Sequence, residues 1–242
     1  MHSVALLPTI ESTSRNQVGV PVEEALLTAA ALDQASIIVR PGSGRILIRL
    51  TEVELGLGRP DIVLIATSKT GLVARAECGL RVANLTEAQI LVAAHERTSF
   101  RHSAGHVTSV TRRLRRIGWL DSNNQMPELP RLVSQSVLLE AKMRDWRTGI
   151  QQLARTTWVA ERSALLIPED VERLIPRMAL KHNRLGLVVR RANGQLSWRL
   201  HARARRSSLL ADIWLTELAI RHLLDGSRDQ IRSSAANFDT PR

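Results

Sequence analysis

The segment Ser136–Lys142, an apolar run that ends in an acid and a lysine, constrains the fold of this chain most. Side chains at i and i+2 of a strand lie on one face, so Glu140 and Lys142 point the same way. The chain contains only three lysines, and arginine supplies nearly all of its other positive charge. Because a compact ammonium can hold or deprotonate a water, whereas a guanidinium forms a planar fork, lysine here indicates a chemical role.

Length and composition set the outer limits. A chain of 242 residues can bury one core with a small insertion, and its 44% hydrophobic content is that of a globular protein without a membrane-spanning run. Residues 1–20 lack a basic start followed by an apolar stretch, so we expect no secretory signal and a cytoplasmic location. Cys78 is the only cysteine. A disulfide within the chain and a cysteine zinc cage are therefore excluded, and we expect a buried, inert thiol.

The formal net charge of +11 favours a polyanionic partner, because basic side chains release counterions when they contact phosphates. Two basic clusters carry much of this charge. One contains Arg112, Arg113, Arg115 and Arg116. The other spans residues 181–206 without a single acid and includes Arg190, Arg191, Arg199 and Arg203. We expect a nucleic acid as the partner; the alternative is a generic solvated surface, with part of the arginine excess due to coding bias.

Hydrophobic periodicity and turn signals predict an alternation of helices and strands. Before residue 85 they predict a helix over Pro21–Ala35, a hairpin of strands Arg45–Glu54 and Pro60–Thr67, and a third strand near Gly79–Val82. After residue 130 they predict strand Val137–Lys142, a helix from Trp146 to about Val159 capped by Asp145, strand Ser163–Ile167, a helix near Asp170–Ile175, and a hairpin of Leu185–Arg190 and Gln195–His201 around Asn193-Gly194.

Residues 85–130 have a different character. A helix that opens at Leu85 is followed by a polar break, a basic helix, the exit Gly118-Trp119-Leu120 and a hairpin-like polar loop. This order resembles a winged helix-turn-helix domain, in which the second helix, here Ser103–Arg116, enters the major groove. The alternative is an arginine-faced surface helix in an all-α insertion.

The last predicted helix has apolar side chains around most of its circumference: Leu210, Ile213, Trp214, Leu218, Ile220 and Leu224. Such a helix is buried, either in the core or against a second copy or a partner protein. We expect the polar residues 226–242 to form a flexible tail.

The order helix, strand, strand, insertion, strand, helix, strand carries a family resemblance. Pro60-Asp61 opens one strand and Glu140-Ala141-Lys142 ends another. This arrangement resembles the PD-(D/E)xK superfamily of restriction-endonuclease-like nucleases over roughly residues 21–66 and 131–201. The resemblance implies an α/β fold, a mixed sheet flanked by helices, with the winged-helix-like segment as a small insertion. The domains are then a nuclease-like core of residues 17–84 and 131–206, the insertion 85–130, an apolar helix 207–225 and the tail.

The resemblance also implies a function, a metal-dependent DNA endonuclease. Asp61, Glu140 and the carbonyl of Ala141 would hold Mg²⁺, for which Mn²⁺ is a common substitute, because Mg²⁺ prefers hard oxygen ligands. Lys142 would orient or help deprotonate the attacking water. Some relatives place a further acid on the first helix, here Glu24 or Glu23, and a glutamine on the helix after the lysine, here Gln151 or Gln152.

Each of these residues has a plainer interpretation. Asp61 can be a turn residue that opens a strand, Glu140 and Lys142 an ion pair at a strand end, and the two glutamines a solvated helix face. The whole chain can accordingly be a non-catalytic DNA-binding regulator on a nuclease-like scaffold, or a structural subunit of a larger nuclease complex.

Overall fold

A six-stranded mixed sheet, whose spatial order β1-β2-β3-β4-β5-β6 follows the chain, organises the protein. The computed structural model describes residues 22–56, 58–99 and 103–236. β1, β2 and β3 pair antiparallel, β3, β4 and β5 pair parallel, and β5 and β6 form an antiparallel hairpin. The strands are β1 Ile46–Thr51, β2 Ile62–Thr67, β3 Val133–Ala141, β4 Arg162–Pro168, β5 Gly186–Arg190 and β6 Leu196–Leu200. Both predicted hairpins are confirmed.

Helices lie in the β2–β3, β3–β4 and β4–β5 connections. α6 makes the crossover that a parallel β3–β4 pair requires. The helices are α1 Val22–Asp33, α2 Ala35–Ile38, α3 Lys69–Glu77, α4 Leu85–Glu96, α5 Ala104–Arg116, α6 Trp146–Thr156, α7 Arg177–His182 and α8 Leu209–Ala236, with a 3-10 helix at Glu169–Leu174. α8 continues beyond the predicted end at residue 225 and into the segment expected to be a flexible tail.

Both faces of the central strands are buried, and this explains why these strands are continuous apolar runs rather than alternating ones. On one face, Ile62 and Leu64 pack against Leu27 and Ala31 of α1. On the other face, the alternate side chains contribute to a larger core that also contains side chains of α6, α8 and the segment between β2 and β3. The expected α/β architecture of a mixed sheet flanked by helices is confirmed.

The segment between β2 and β3 is helical. The strand predicted near Gly79–Val82 is wrong: helix α3 precedes these residues, and they form a turn and irregular backbone. α4 and α5 correspond to the two helices of the predicted helix-turn-helix, although residues 100–102 of the break between them lie outside the described residues. The described residues 117–132 contain no strand, so the structure does not supply the wing.

The insertion and the residues just before it are tied to the rest of the protein by buried contacts. The carboxylate of Glu217 on α8 accepts hydrogen bonds from Arg81, Arg221 and the backbone nitrogen of Val82. Trp119, almost fully buried, donates its indole N–H to the carbonyl of Arg81 at 3.2 Å. The insertion therefore shares one hydrophobic core with the sheet rather than forming a separate core.

The structure also bears on the cysteine and on membrane-spanning helices. Cys78 is exposed, so the expected buried thiol is wrong; it lies at the carboxyl end of α3, outside the core. No helix within the described residues is both long and apolar enough to cross a membrane. The amino-terminal stretch assessed for a secretory signal, and residues 17–21 of the expected core, lie outside the described residues.

Candidate functional site

The start of β2 and the end of β3 meet at the candidate site. The antiparallel register pairs Ile62 with Leu139, so Asp61 lies beside the last residues of β3. Asp61 Oδ2 accepts a 2.7 Å hydrogen bond from the backbone nitrogen of Ala141. The Asp61 carboxylate thus joins two strands that are distant in the sequence, at the point where β2 begins and β3 ends.

Glu140 and Lys142 form an ion pair on the same face of β3, with 3.1 Å between Lys142 Nζ and Glu140 Oε1. Glu140 is almost completely buried, and its other oxygen, Oε2, is buried without a hydrogen-bond partner in the described part of the chain. A buried carboxylate oxygen without a well-formed hydrogen bond is costly, because it has lost water; the nearby backbone N–H of Asp61 only partly offsets this, since the pKa of Glu140 is still raised. This oxygen is available to a ligand.

Helix α1 brings Glu24 to the same place. Its Oε2 lies 3.7 Å from Lys142 Nζ, and its Oε1 accepts a 3.4 Å hydrogen bond from the backbone nitrogen of Met143. Glu23, the alternative acid on this helix, is exposed. Of the two candidates, the structure places Glu24 in the site.

Burial and mutual repulsion perturb the two carboxylates. Burial raises the pKa of Asp61, against the opposing effects of the Ala141 N–H and of Lys142. Burial, reinforced by the nearby charge of Asp61, raises the pKa of Glu140 to about 7, although Lys142 opposes this shift. Burial by itself would lower the pKa of Lys142, but Glu140, Asp61 and Glu24 together raise it. The site therefore holds a persistent ammonium beside a carboxyl group that titrates near neutral pH.

Sequence reasoning missed Gly149. It lies on α6 against the two central side chains: a Cβ at this position would be 2.9 Å from Lys142 Cγ, 3.6 Å from Glu140 Cγ and 2.6 Å from Leu165 Cδ1. Any larger residue would displace the lysine or the helix. The signal in the sequence is a glycine inside a helix, where glycine costs stability unless close packing requires it.

The two glutamines of α6 make no described contact with Asp61, Glu140 or Lys142. The helix starts at the N-cap Asp145, whose side chain accepts a hydrogen bond from the Thr148 nitrogen at 3.3 Å. Gln151 and Gln152 are both exposed. The structure is thus compatible with the solvated-face interpretation and leaves both side chains accessible.

The candidate site offers a small number of hard oxygen ligands to a metal ion. No group of three or more His, Cys, Asp or Glu side chains that could hold a metal ion occurs among the described residues. The site offers two carboxylates, Asp61 and Glu140, with the Ala141 peptide between them. A divalent cation would coordinate the unpartnered Glu140 oxygen. Its positive charge would also favour the ionised forms of Asp61 and Glu140, whose pKa values are raised. Mg²⁺ suits such a site because it commonly retains several waters and binds one or two carboxylates.

The arginines of α5 divide into two sets. Arg112, Arg115 and Arg116 are exposed, and Arg115 donates a 2.6 Å hydrogen bond to Asn124 Oδ1. Arg113 instead turns inward and forms an ion pair with the nearly buried carboxylate of Glu87. That carboxylate also accepts a 2.6 Å hydrogen bond from the backbone nitrogen of Ala83, which lies just before α4. Of the four predicted nucleic-acid ligands on this helix, Arg113 therefore has a structural partner.

The second basic cluster lies around β5 and β6. Arg191 and Arg203 are exposed, and Arg190 lies at the end of β5. Arg199 forms ion pairs with Glu169 at 3.4 Å and Glu172 at 3.1 Å. Arg199 is thus neutralised in place, whereas Arg191 and Arg203 are available to a ligand.

The apolar side chains of α8 are used within this chain. Trp214, Leu215 and Ile220 are buried in the core that α8 shares with the sheet and the insertion. Leu224 is more than a third exposed. Between the two interpretations of this helix, the structure places Trp214 in the core rather than at an external interface.

Comparisons with known proteins add little. No protein-family model matches the chain, and no curated protein matches it. Among solved structures, the chain is similar to the SPO1766 protein of unknown function from Silicibacter pomeroyi, with a TM-score of 0.37 and 9% sequence identity over 86% of this chain and 92% of that chain. The functional proposal therefore depends on the geometry of the site.

Proposed function

We propose that the protein is a metal-dependent DNA endonuclease that hydrolyses phosphodiester bonds, with a restriction-endonuclease-like core and a helix-turn-helix-like insertion, α4 and α5, without a described wing. One observation carries this proposal: Asp61, Glu140 and Lys142 lie close enough to shift one another's pKa where β2 begins and β3 ends, and one buried oxygen of Glu140 has no described hydrogen-bond partner. A structural ion pair at a strand end explains the contact between Glu140 and Lys142. It does not explain why a second carboxylate, the partly buried Asp61, lies beside the first.

Mg²⁺, or Mn²⁺ in its place, would be held by the carboxylates of Asp61 and Glu140 and by the carbonyl of Ala141. When bound, the ion supplies neutralising charge for the scissile phosphate and lowers the pKa of a water. The polypeptide supplies orientation: the Ala141 N–H fixes the Asp61 carboxylate, and Gly149 leaves room for the Glu140 and Lys142 side chains.

Lys142 and Glu140 would have different tasks. A lysine whose pKa is raised stays protonated at neutral pH, so Lys142 would orient the attacking water or stabilise charge on the phosphate. Glu24 helps to hold the ammonium in place. Glu140, whose pKa burial raises to about 7, would serve as a ligand of the ion, and the positive charge of the ion would keep its carboxylate deprotonated.

DNA would bind through exposed guanidinium groups. Arg112, Arg115 and Arg116 project from α5, while Arg191 and Arg203 lie near the β5–β6 hairpin. Exposed arginines without carboxylate partners neutralise backbone phosphates at little cost, so they supply affinity rather than sequence recognition.

The test is cleavage of supercoiled plasmid and linear duplex with Mg²⁺, with Mn²⁺ and with EDTA. Lys142→Ala and Asp61→Ala should abolish cutting, and Lys69→Ala, an exposed lysine at the start of α3, should not. Cutting that persists in both site variants would show that the site is elsewhere. An absence of cutting by the wild-type protein in any metal would count against the nuclease.

A second candidate is a non-catalytic DNA-binding regulator. It is favoured by the absence of a three-ligand metal cluster from the described residues, together with the exposed arginine face of α5. A regulator would bind duplex DNA in EDTA and would be indifferent to Lys142→Ala. A subunit of a larger nuclease complex would lack activity alone and would gain it with a partner.

A further inference from the structure

A cavity of about 830 Å³ lies away from the candidate cleavage site, at the carboxyl ends of β4 and β5. Pro168, the last residue of β4, pairs there with Arg190, the last residue of β5. Because β3, β4 and β5 are parallel, the cavity opens at the same edge of the sheet as Glu140. The carboxyl ends of parallel strands are a common position for ligand sites in α/β proteins.

The lining of this cavity is strongly charged. It includes four arginines and three acids: Arg173, Arg177, Arg190, Arg191, Glu169, Asp170 and Glu172. Two of the acids, Glu169 and Glu172, are bound to Arg199, and Glu169 Oε2 also accepts a 3.1 Å hydrogen bond from the Ala192 nitrogen. Within the described residues, none of the four lining arginines forms an ion pair. The uncompensated charge of the cavity is therefore positive.

The guanidinium group of Arg190 has one N–H without a hydrogen-bond acceptor among the described residues. Its Nε is buried and has no acceptor in the described part of the chain. A guanidinium N–H that has lost water without gaining an acceptor costs free energy, and an anionic oxygen would repay that cost with a charge-assisted hydrogen bond. Arg173 and Arg177 border the same cavity and are exposed, so they can approach the same anion.

We propose that this cavity binds a nucleotide unit, with Arg190, Arg173 and Arg177 contacting its phosphate. A volume of this size is in the range of small-molecule sites and accommodates more than an inorganic anion. Asp170, whose carboxylate has no described partner, supplies an acceptor for a sugar hydroxyl or a base amino group. A lining with both uncompensated guanidinium groups and a carboxylate suits a ligand that carries a phosphate and hydrogen-bond donors together.

The ligand can come from two sources that share this chemistry, a free mononucleotide or one nucleotide of a nucleic-acid strand. Binding here does not require Asp61, Glu140 or Lys142, so the site goes beyond the proposed cleavage function.

The experiment is calorimetric titration of the full chain in EDTA with AMP, with inorganic phosphate, and with a short single-stranded oligonucleotide. AMP should bind more tightly than phosphate. Arg190→Gln and Arg173→Gln should each weaken AMP binding by about tenfold or more, because each removes a charge-assisted hydrogen bond to the phosphate. Arg40→Gln, which removes one exposed positive charge outside the cavity, should bind AMP as the wild type does.

The two sources are separated by competition. Oligonucleotide that displaces AMP from the wild-type protein identifies a strand-binding site, and oligonucleotide that leaves AMP bound identifies a mononucleotide site; either supports the pocket. Lys142→Ala should bind AMP normally, so a failed nuclease does not remove the pocket. The proposal is overturned if AMP does not bind, or if folded Arg173→Gln, an exposed-site variant, binds it as the wild type does.

Discussion

The backbone nitrogen of Ala141 donates a 2.7 Å hydrogen bond to the carboxylate of Asp61, across 80 residues of chain. The bond fixes one acidic side chain relative to the strand that carries Glu140 and Lys142. It also means that the insertion between β2 and β3 leaves and re-enters the sheet without separating the two acidic strands. This relationship makes the site sensitive to small changes in the packing around β3.

We expect Glu140→Gln to change how stability depends on pH in EDTA. The pKa of Glu140 is about 7 in the folded protein and 4.5 ordinarily, so the folded state binds more protons between these values. Stability of the wild type therefore falls as pH rises through this window, by about 3 kcal/mol for a shift of this size. Glu140→Gln has no titrating group at this position and lacks this loss. Its free energy of unfolding should therefore rise relative to that of the wild type above pH 7, as measured by urea unfolding at pH 4.5 and 8.

The control for this experiment is Glu128→Gln, which changes an exposed acid. Its stability should follow that of the wild type at both pH values. A difference between Glu140→Gln and the wild type that stays constant from pH 4.5 to 8 would contradict the raised pKa.

Gly149→Ala should disturb the site from the side of α6. The added methyl would lie 2.9 Å from Lys142 Cγ and 2.6 Å from Leu165 Cδ1, so one of these side chains must move. We expect a loss of about 1–3 kcal/mol in the free energy of unfolding, together with reduced cleavage.

A matched glycine is available for comparison. Gly105 lies in helix α5 with open space around it, so Gly105→Ala should stabilise the protein by up to about 1 kcal/mol. Equal effects of the two substitutions would show that Gly149 is not packed against the site.

Arg112→Gln and Arg113→Gln should behave oppositely although the two residues are adjacent. Arg113→Gln leaves the nearly buried Glu87 without its cation and should cost about 1–3 kcal/mol of stability. Arg112→Gln removes an exposed charge and should leave stability within about 0.5 kcal/mol. It should weaken duplex binding and reduce the dependence of log affinity on log salt by about one. Thermal unfolding measures the change in stability, and fluorescence anisotropy measures duplex binding. If Arg112→Gln binds duplex as tightly as the wild type does, Arg112 does not contact DNA.

Mg²⁺ should raise the melting temperature of the wild-type protein whether or not the substrate is present. An ion that binds only the folded state stabilises it by mass action, about 2.7 kcal/mol at one hundred times the dissociation constant. Asp61→Asn and Glu140→Gln should lose this stabilisation, while Glu128→Gln should retain it. A shift of equal size in all four proteins would reflect nonspecific ion binding.

Local signals predicted much of the fold. Asn193-Gly194 predicted the β5–β6 hairpin because its turn type demands such residues, and Asp145 predicted the start of α6 because its carboxylate caps the first turn. Helix α3 was missed since Leu72 is its one clearly buried apolar residue, so its periodicity is weak. Its N-cap, Ser68, which accepts a hydrogen bond from the Gly71 nitrogen, was the available signal.

The sequence by itself determined the strand that ends in Glu140 and Lys142, because the two-residue period of a strand places both side chains on one face wherever that strand lies. It also determined which segments are apolar enough to form the sheet. Only the tertiary structure decided that Asp61 meets Ala141, that Glu24 rather than Glu23 reaches Lys142, that Gly149 packs on the pair, and that Arg113 turns to Glu87. These contacts depend on strand register and helix packing, which bring together residues that no local pattern relates.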